Sequence, residues 1–273
     1  MALHGQPLIA DPLVASLLVV VAAAYLFAVM RLAGRGVRWR WPRTAAFLGG
    51  LLAIAVALAS PLAVEDERFP IHVIQHLLLG MIAPLLLALS APLTLLLRTL
   101  PRPPRQRVVR LLHFRPLRWI AHPSIGAVLS IGAMYALYLT PLYAATLRHP
   151  ALHLLMHAHF LLAGYLFSWS LIGLDPIPHR ASFLIRAVVL ILALGAHGTL
   201  AKLLYADGAS VVGLQVAVVS VRDWRLGTQI MWYGGDGVDV ALVFAFFLQW
   251  YVAGGRRLTR AGHARPTTSA SAM

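Results

Sequence analysis

"IHVIQHLLLGMIAPLLLALSAPLTLLL" (residues 71–97) runs for 27 residues without a single Asp, Glu, Lys or Arg. A helix rising 1.5 Å per residue needs roughly 20 residues to cross a hydrocarbon core of about 30 Å. The stretch therefore reads as a membrane span, and it begins, unusually, with His72, Gln75 and His76. Working outward, residues 13–32, 44–63, 120–139, 151–171, 182–205 and 230–253 meet the same length requirement. With 60% hydrophobic and 12% charged residues, the composition lies outside the soluble globular range. The expected fold is all-α: a polytopic membrane protein with a seven-transmembrane-helix bundle forming one domain over 1–255. A basic tail, 256–273, rich in small polar residues, is expected to be disordered.

The charge distribution sets an expected orientation. Of 23 Lys and Arg, 18 fall after the first, third, fifth and seventh spans, and the opposite loops carry most of the acids. By the positive-inside rule the N-terminus is outside and the C-terminus cytoplasmic. The net charge of +14 is thus a signature of topology and of contact with membrane lipid, not of nucleic acid. "RTLPRPPRQRVVR" (98–110) reads either as a basic interfacial helix against anionic headgroups or as a solvated connector. "SVVGLQVAVVSV" (210–221) is apolar but too short to span, and is expected to lie flat or to cap the bundle. Residues 1–11 lack a basic leader, so the first helix is expected to be retained. Pro84 and Pro92 remove backbone donors inside the third span and are expected to kink it.

Cysteine is absent, so any soft-metal chemistry must use His and Met. "HLLMHAH" (153–159) concentrates such ligands in the fifth span. The pairs His72/His76 and His153/His157 are each spaced i, i+4, which puts both imidazoles of a pair on one helix face. His76, His157 and the sixth span's His197 lie roughly 8, 9 and 12 Å inside the outer boundary. These three are expected to form a deep tier, with His72 and His153 an outer one. Polar groups at membrane depth face the bundle interior and need partners, and a metal ion satisfies several imidazoles at once. With Met156 and Met231 near the same level, copper is the leading metal, followed by zinc. Gln75, Asp236 and Asp239 are candidates to orient the rings. His159 lies off the His153/His157 face and reads as a packing or lipid-interface residue.

A haem held by paired histidines is the alternative, with Gly164 and Gly195 offering room. Retinal is excluded by the lack of a lysine in the last span, and no Ser/His/acid grouping supports a hydrolase. The protein is read as a non-enzyme.

Three blocks carry a family resemblance. "IHVIQHLLLGMIAPLLL" (71–87), "HLLMHAHFLLAGYLFSWSLIGLDPIPHR" (153–180) and "LGTQIMWYGGDGVDVAL" (226–242) together resemble the CtaG family of caa3-type cytochrome c oxidase assembly factors. Before Ile230 and Met231, where that family often has a Gly-Gly pair, this chain has Gly227, Thr228 and Gln229. The resemblance implies an assembly factor of the bacterial inner (plasma) membrane that handles copper for a haem-copper oxidase. Its implied partners are a cytochrome c oxidase subunit or a copper chaperone. His72, His76, His153, His157 and His197 are the matching polar positions. Asp175, Pro176 and Pro178 are expected to end the fifth helix in a tight turn.

Overall fold

The computed structural model describes residues 11–63, 65, 68–177, 180–211 and 219–263, with the backbone alone over 207–211 and 256–263. Every regular element among them is helical. The first helix, α1 (Pro12–Ala33), starts with Pro at its first position and with Asp11 accepting from the Leu13 and Val14 amides at 2.8 and 3.2 Å. Such a carboxylate cap satisfies donors that have no partner inside the helix. Next come α2 (Trp41–Ala59) and α3 (Phe69–Thr99), followed by the short basic helices α4 (Arg102–Leu112) and α5 (Arg115–Ile120). Segment 98–110 is thus largely helical, with Pro104 and Val108 half-buried on one side and its arginines exposed.

Then follow α6 (Pro123–Leu139), α7 (Leu142–Arg148), α8 (Pro150–Ile172), α9 (Phe183–Val211) and α10 (Val221–His263). Six of these helices are long and apolar enough to cross a membrane. The span expected over 120–139 is instead a bent pair, α6 and α7 meeting at 81°. Pro141 cannot donate a backbone bond, and Thr140 turns its hydroxyl onto the Ala136 carbonyl, so the helix ends there. α10 starts nine residues before the expected boundary at 230 and continues to His263, beyond the domain limit drawn at 255. Residues 264–273 and most of the apolar segment 210–221 lie outside the described residues.

The third span does not kink in the expected simple way. Residues Leu78–Ile82 form a π-turn just upstream of Pro84, and Ala91, ahead of Pro92, takes the left-handed conformation with φ 54°. Pro84 has no N–H for the Gly80 carbonyl four residues back, so that carbonyl is free to turn outward. Gly164 of α8 packs on it so closely that a methyl there would collide with the Gly80 oxygen and with Pro84. The break at Ala91 is closed from outside: Asp175 accepts from the Leu93 and Thr94 amides at 3.1 and 2.6 Å and from the Thr94 hydroxyl at 2.6 Å. Burial pushes this carboxyl above its ordinary range, against the pull of those bonds. Gly173, at φ 60°, ends α8 two residues before the Asp175, Pro176 and Pro178 expected to do so, because the left-handed position suits glycine, and Asp175 is left to reach α3; Pro178 lies outside the described residues. Arg180 and Arg186 cover the last carbonyls of α8, donating to Ile172 and Leu171 at 3.0 and 2.6 Å.

α8 is the central helix, 61% buried over its apolar window, whereas α1 is 6% buried and presents Leu13, Leu17, Val20 and Phe27 outward as a lipid-facing helix does. The N-terminal half of α10 closes on α3 through Trp224, stacked on Phe69 at 4.3 Å, with Gly227 making room for the Phe69 ring. Trp224 Nε1 also donates to the Leu204 carbonyl at 2.7 Å, tying α10 to α9. These contacts bring α3, α8, α9 and α10 around one interior.

Candidate metal centre

α3 opens with Pro70 in its first turn, which places His72 one turn in and His76 two turns in, on the same face. α8 opens with Pro150 after an extended His149 and presents His153 and His157 in the same way. The two faces meet. His72 lies opposite His153 with ring centroids 5.3 Å apart, His76 lies opposite His157 at 5.4 Å, and each pair is 4.3 Å apart along its own helix. The order is the same on both helices, so α3 and α8 run in parallel. That requires the chain to cross back between them, and α6 with α7 makes this seventh crossing.

Ligand nitrogens of His72, His76 and His153 lie within 4.8 Å of one another. Around a metal at about 2.0 Å, tetrahedral nitrogens stand roughly 3.3 Å apart, so ring rotations of about an ångström would close the set. The walls are aromatic: Tyr143 meets the His72 ring edge-on at 4.8 Å, and Phe160 meets His76 at 4.5 Å. Both nitrogens of His72 and both of His76 are sealed from solvent without a hydrogen-bond partner among the described residues. An unmet buried polar group costs about 1–3 kcal/mol, and a neutral imidazole has one nitrogen to donate and one to accept. A cation bound through those lone pairs supplies what the protein does not, so the donor set fits a metal.

The expected deep tier divides. His197 is buried, but its Nδ1 is paired with the Asp239 carboxylate at 3.0 Å and its ring packs against Gly235, where a side chain would strike it. It shares a cavity with His76 and Met231 and does not join the four-imidazole cluster. The nearest trio therefore combines both histidines of α3 with His153, across the two expected tiers. Of the three residues expected to orient rings, only Asp239 does so. Gln75 donates to the Ala57 and Leu62 carbonyls, both at 3.2 Å, and so holds α3 to the end of α2. Asp236 is exposed and does not line the cavity, because it sits on the outward side of α10. Met156 is buried in an apolar cluster with Phe69, Val73 and Leu200. His159 packs as expected, bonding through Nε2 to the Leu129 carbonyl at 3.0 Å, in a second π-turn at Val128–Gly132 of α6.

Reasoning from sequence missed Tyr138 and Tyr143, both fully buried beside the cluster, and Met81 and Met134, which line the cavity. The tyrosines lie on α6 and α7, and nothing local ties them to the histidines. Met81 falls five residues after His76, off the i+4 face until the π-turn inserts a residue.

A family model for the cytochrome c oxidase caa3 assembly factor matches residues 23–253. Uncharacterised proteins of Mycobacterium bovis (strain ATCC BAA-935 / AF2122/97) and Mycobacterium tuberculosis (strain CDC 1551 / Oshkosh) are each 32% identical over 255 residues, and one of Mycobacterium leprae (strain TN) is 29% identical. Each alignment covers 88% of this chain and 39% of the relative, so the chain spans about two fifths of the length of these proteins. No solved structure matches. The family match encloses all four clustered histidines together with His197, Met231 and Asp239, and the chain belongs to the cytochrome c oxidase caa3 assembly factor family.

Proposed function

We propose that the protein holds copper as a cargo between α3 and α8 and releases it to a partner during oxidase assembly, the partner being an oxidase subunit or a copper chaperone. The observation that carries this reading is the square of four imidazoles, two from each helix, with the α3 nitrogens sealed and without hydrogen-bond partners among the described residues. Imidazole suits copper and zinc, and copper binds more tightly at a given nitrogen site. The square offers as many ligands as a tetrahedral ion takes, but its spacing is looser than a closed shell. That looseness favours exchange over permanent retention. The charge asymmetry supports a reading with the histidine end of α3 and α8 at the outer face of a bacterial plasma membrane and the C-terminus in the cytoplasm.

Spacing also favours copper over haem. A porphyrin needs a slot as wide as its own ring between two axial imidazoles. Here each facing pair has another imidazole 4.3 Å away along the helix, in the place the macrocycle would occupy.

The test is genetic and chemical. In a strain lacking the protein, the wild-type gene is expected to restore copper content and activity of the caa3-type oxidase. A gene carrying His72→Ala with His76→Ala is expected to leave both low at equal membrane abundance. Full restoration by that variant would remove the copper role.

A further inference from the structure

Beside the imidazole square lies a partly open cavity of about 50 Å³. One water needs roughly 10–15 Å³ on this scale, while sites for organic ligands run to about 300–1,000 Å³. The space is of the size of an ion with a water or two, well short of that range. Its lining is not that of a mere packing defect. His76 forms one wall and belongs also to the square above; His197 forms another; and Met81, Met134 and Met231 bring three thioethers from α3, α6 and α10.

Three further features are built around this space. Asp239 accepts from His197 Nδ1 at 3.0 Å, which leaves Nε2 as the lone-pair nitrogen. A metal-bound histidine typically has its other nitrogen held by a carboxylate in this way. Gly235 leaves room for the ring, since a Cβ there would overlap it. Both π-turns among the described residues, Leu78–Ile82 and Val128–Gly132, border the cavity through Gly80, Met81, Ser130 and Ile131. Such turns trade backbone hydrogen-bond regularity for side-chain placement and recur at functional sites.

We infer that this cavity is a second metal station, selective for Cu(I), with His197 Nε2 and the thioethers of Met81, Met134 and Met231 as donors. Asp239 is a positioning residue that fixes the His197 tautomer. Thioether ligands are soft and favour Cu(I), whereas the all-imidazole square takes either oxidation state. Shared His76 makes the two sites neighbours, so a cuprous ion passes between them without entering water. The inference rests on the copper-holding reading above and adds to it a ligand set, an oxidation state and a place.

The test uses the full chain in detergent, titrated with Cu(I) under anaerobic conditions against a chromogenic Cu(I) chelator, with X-ray absorption on the loaded protein. Wild type is expected to show sulfur as well as nitrogen scattering. The combination Met81→Leu, Met134→Leu and Met231→Leu conserves volume. It is expected to abolish the sulfur scattering and one equivalent of copper, leaving a nitrogen-only ion. Met231→Leu alone serves where the triple variant unfolds, and is expected to weaken that equivalent. Asp239→Asn is expected to keep the sulfur signal while lowering that equivalent's affinity about 10- to 100-fold. Nitrogen-only copper in the wild type, lost with His72→Ala and His153→Ala, would overturn the second station and leave the imidazole square standing. Unchanged stoichiometry in the methionine variants would overturn it as well. Absence of copper from every sample would overturn both readings.

Discussion

Single residues here divide into those whose polar atoms are met by the fold and those left for something else. His159 belongs to the first kind: its bond to the Leu129 carbonyl joins two helices. Replacing it with Leu is expected to lower stability by about 1 kcal/mol and leave copper binding intact. His72 is of the second kind, fully buried with neither nitrogen bonded. His72→Leu removes an unmet polar group, so the metal-free protein is expected to melt at an equal or higher temperature, while the rise in melting temperature on adding copper shrinks. Thermal unfolding of both variants with and without copper checks the contrast. A large loss of stability in metal-free His72→Leu would mean that the ring is structural. Gly164 makes a third case. A methyl there meets the backbone oxygen of Gly80, which has little freedom to retreat, so Gly164→Ala is expected to cost about 1–3 kcal/mol on the same assay.

At the scale of helices, the spans and the two imidazole faces were legible because apolar length and an i, i+4 spacing are local properties of the chain. What was not legible depended on contacts between helices. The π-turn before Pro84 exists because a freed carbonyl finds Gly164 on a helix some eighty residues away. Gln75 was expected to orient a ring but bonds carbonyls at the end of α2 that no side-chain pattern reveals. α10 begins early because Trp224 stacks on Phe69, which outweighs the polar residues around it. The π-turn carries its own prediction. Deleting one residue within 78–82 removes the residue that the π-turn adds, so regular helix forms with His72 and His76 on nearly the same face relative to the Pro84 half. The shortened protein is expected to insert and to retain copper at the square. Asp175 acts on the other end of the same helix, and Asp175→Ala, which strips three bonds from the segment after Ala91, is expected to lower stability by about 0.5–2 kcal/mol without changing metal content.

For the whole molecule, seven crossings follow from the parallel register of α3 and α8, with the bent pair α6 and α7 as the crossing that apolar length alone had drawn straight. The charge pattern predicts an orientation for the bundle. A phosphatase fused between α2 and α3 is expected to be active outside the cell, and a green fluorescent fusion after α10 to fluoresce inside; the reverse pattern would put the histidines at the wrong face for delivery to an outer partner. The bundle gathers five buried or half-buried histidines from helices distant in sequence, an arrangement that suits the proposed carrier of a reactive ion. The most direct measurement is copper per molecule of purified, copper-loaded protein, wild type against His76→Ala with His157→Ala. The geometry predicts that the double variant loses the copper held by the imidazole square; equal copper in the two proteins would contradict it.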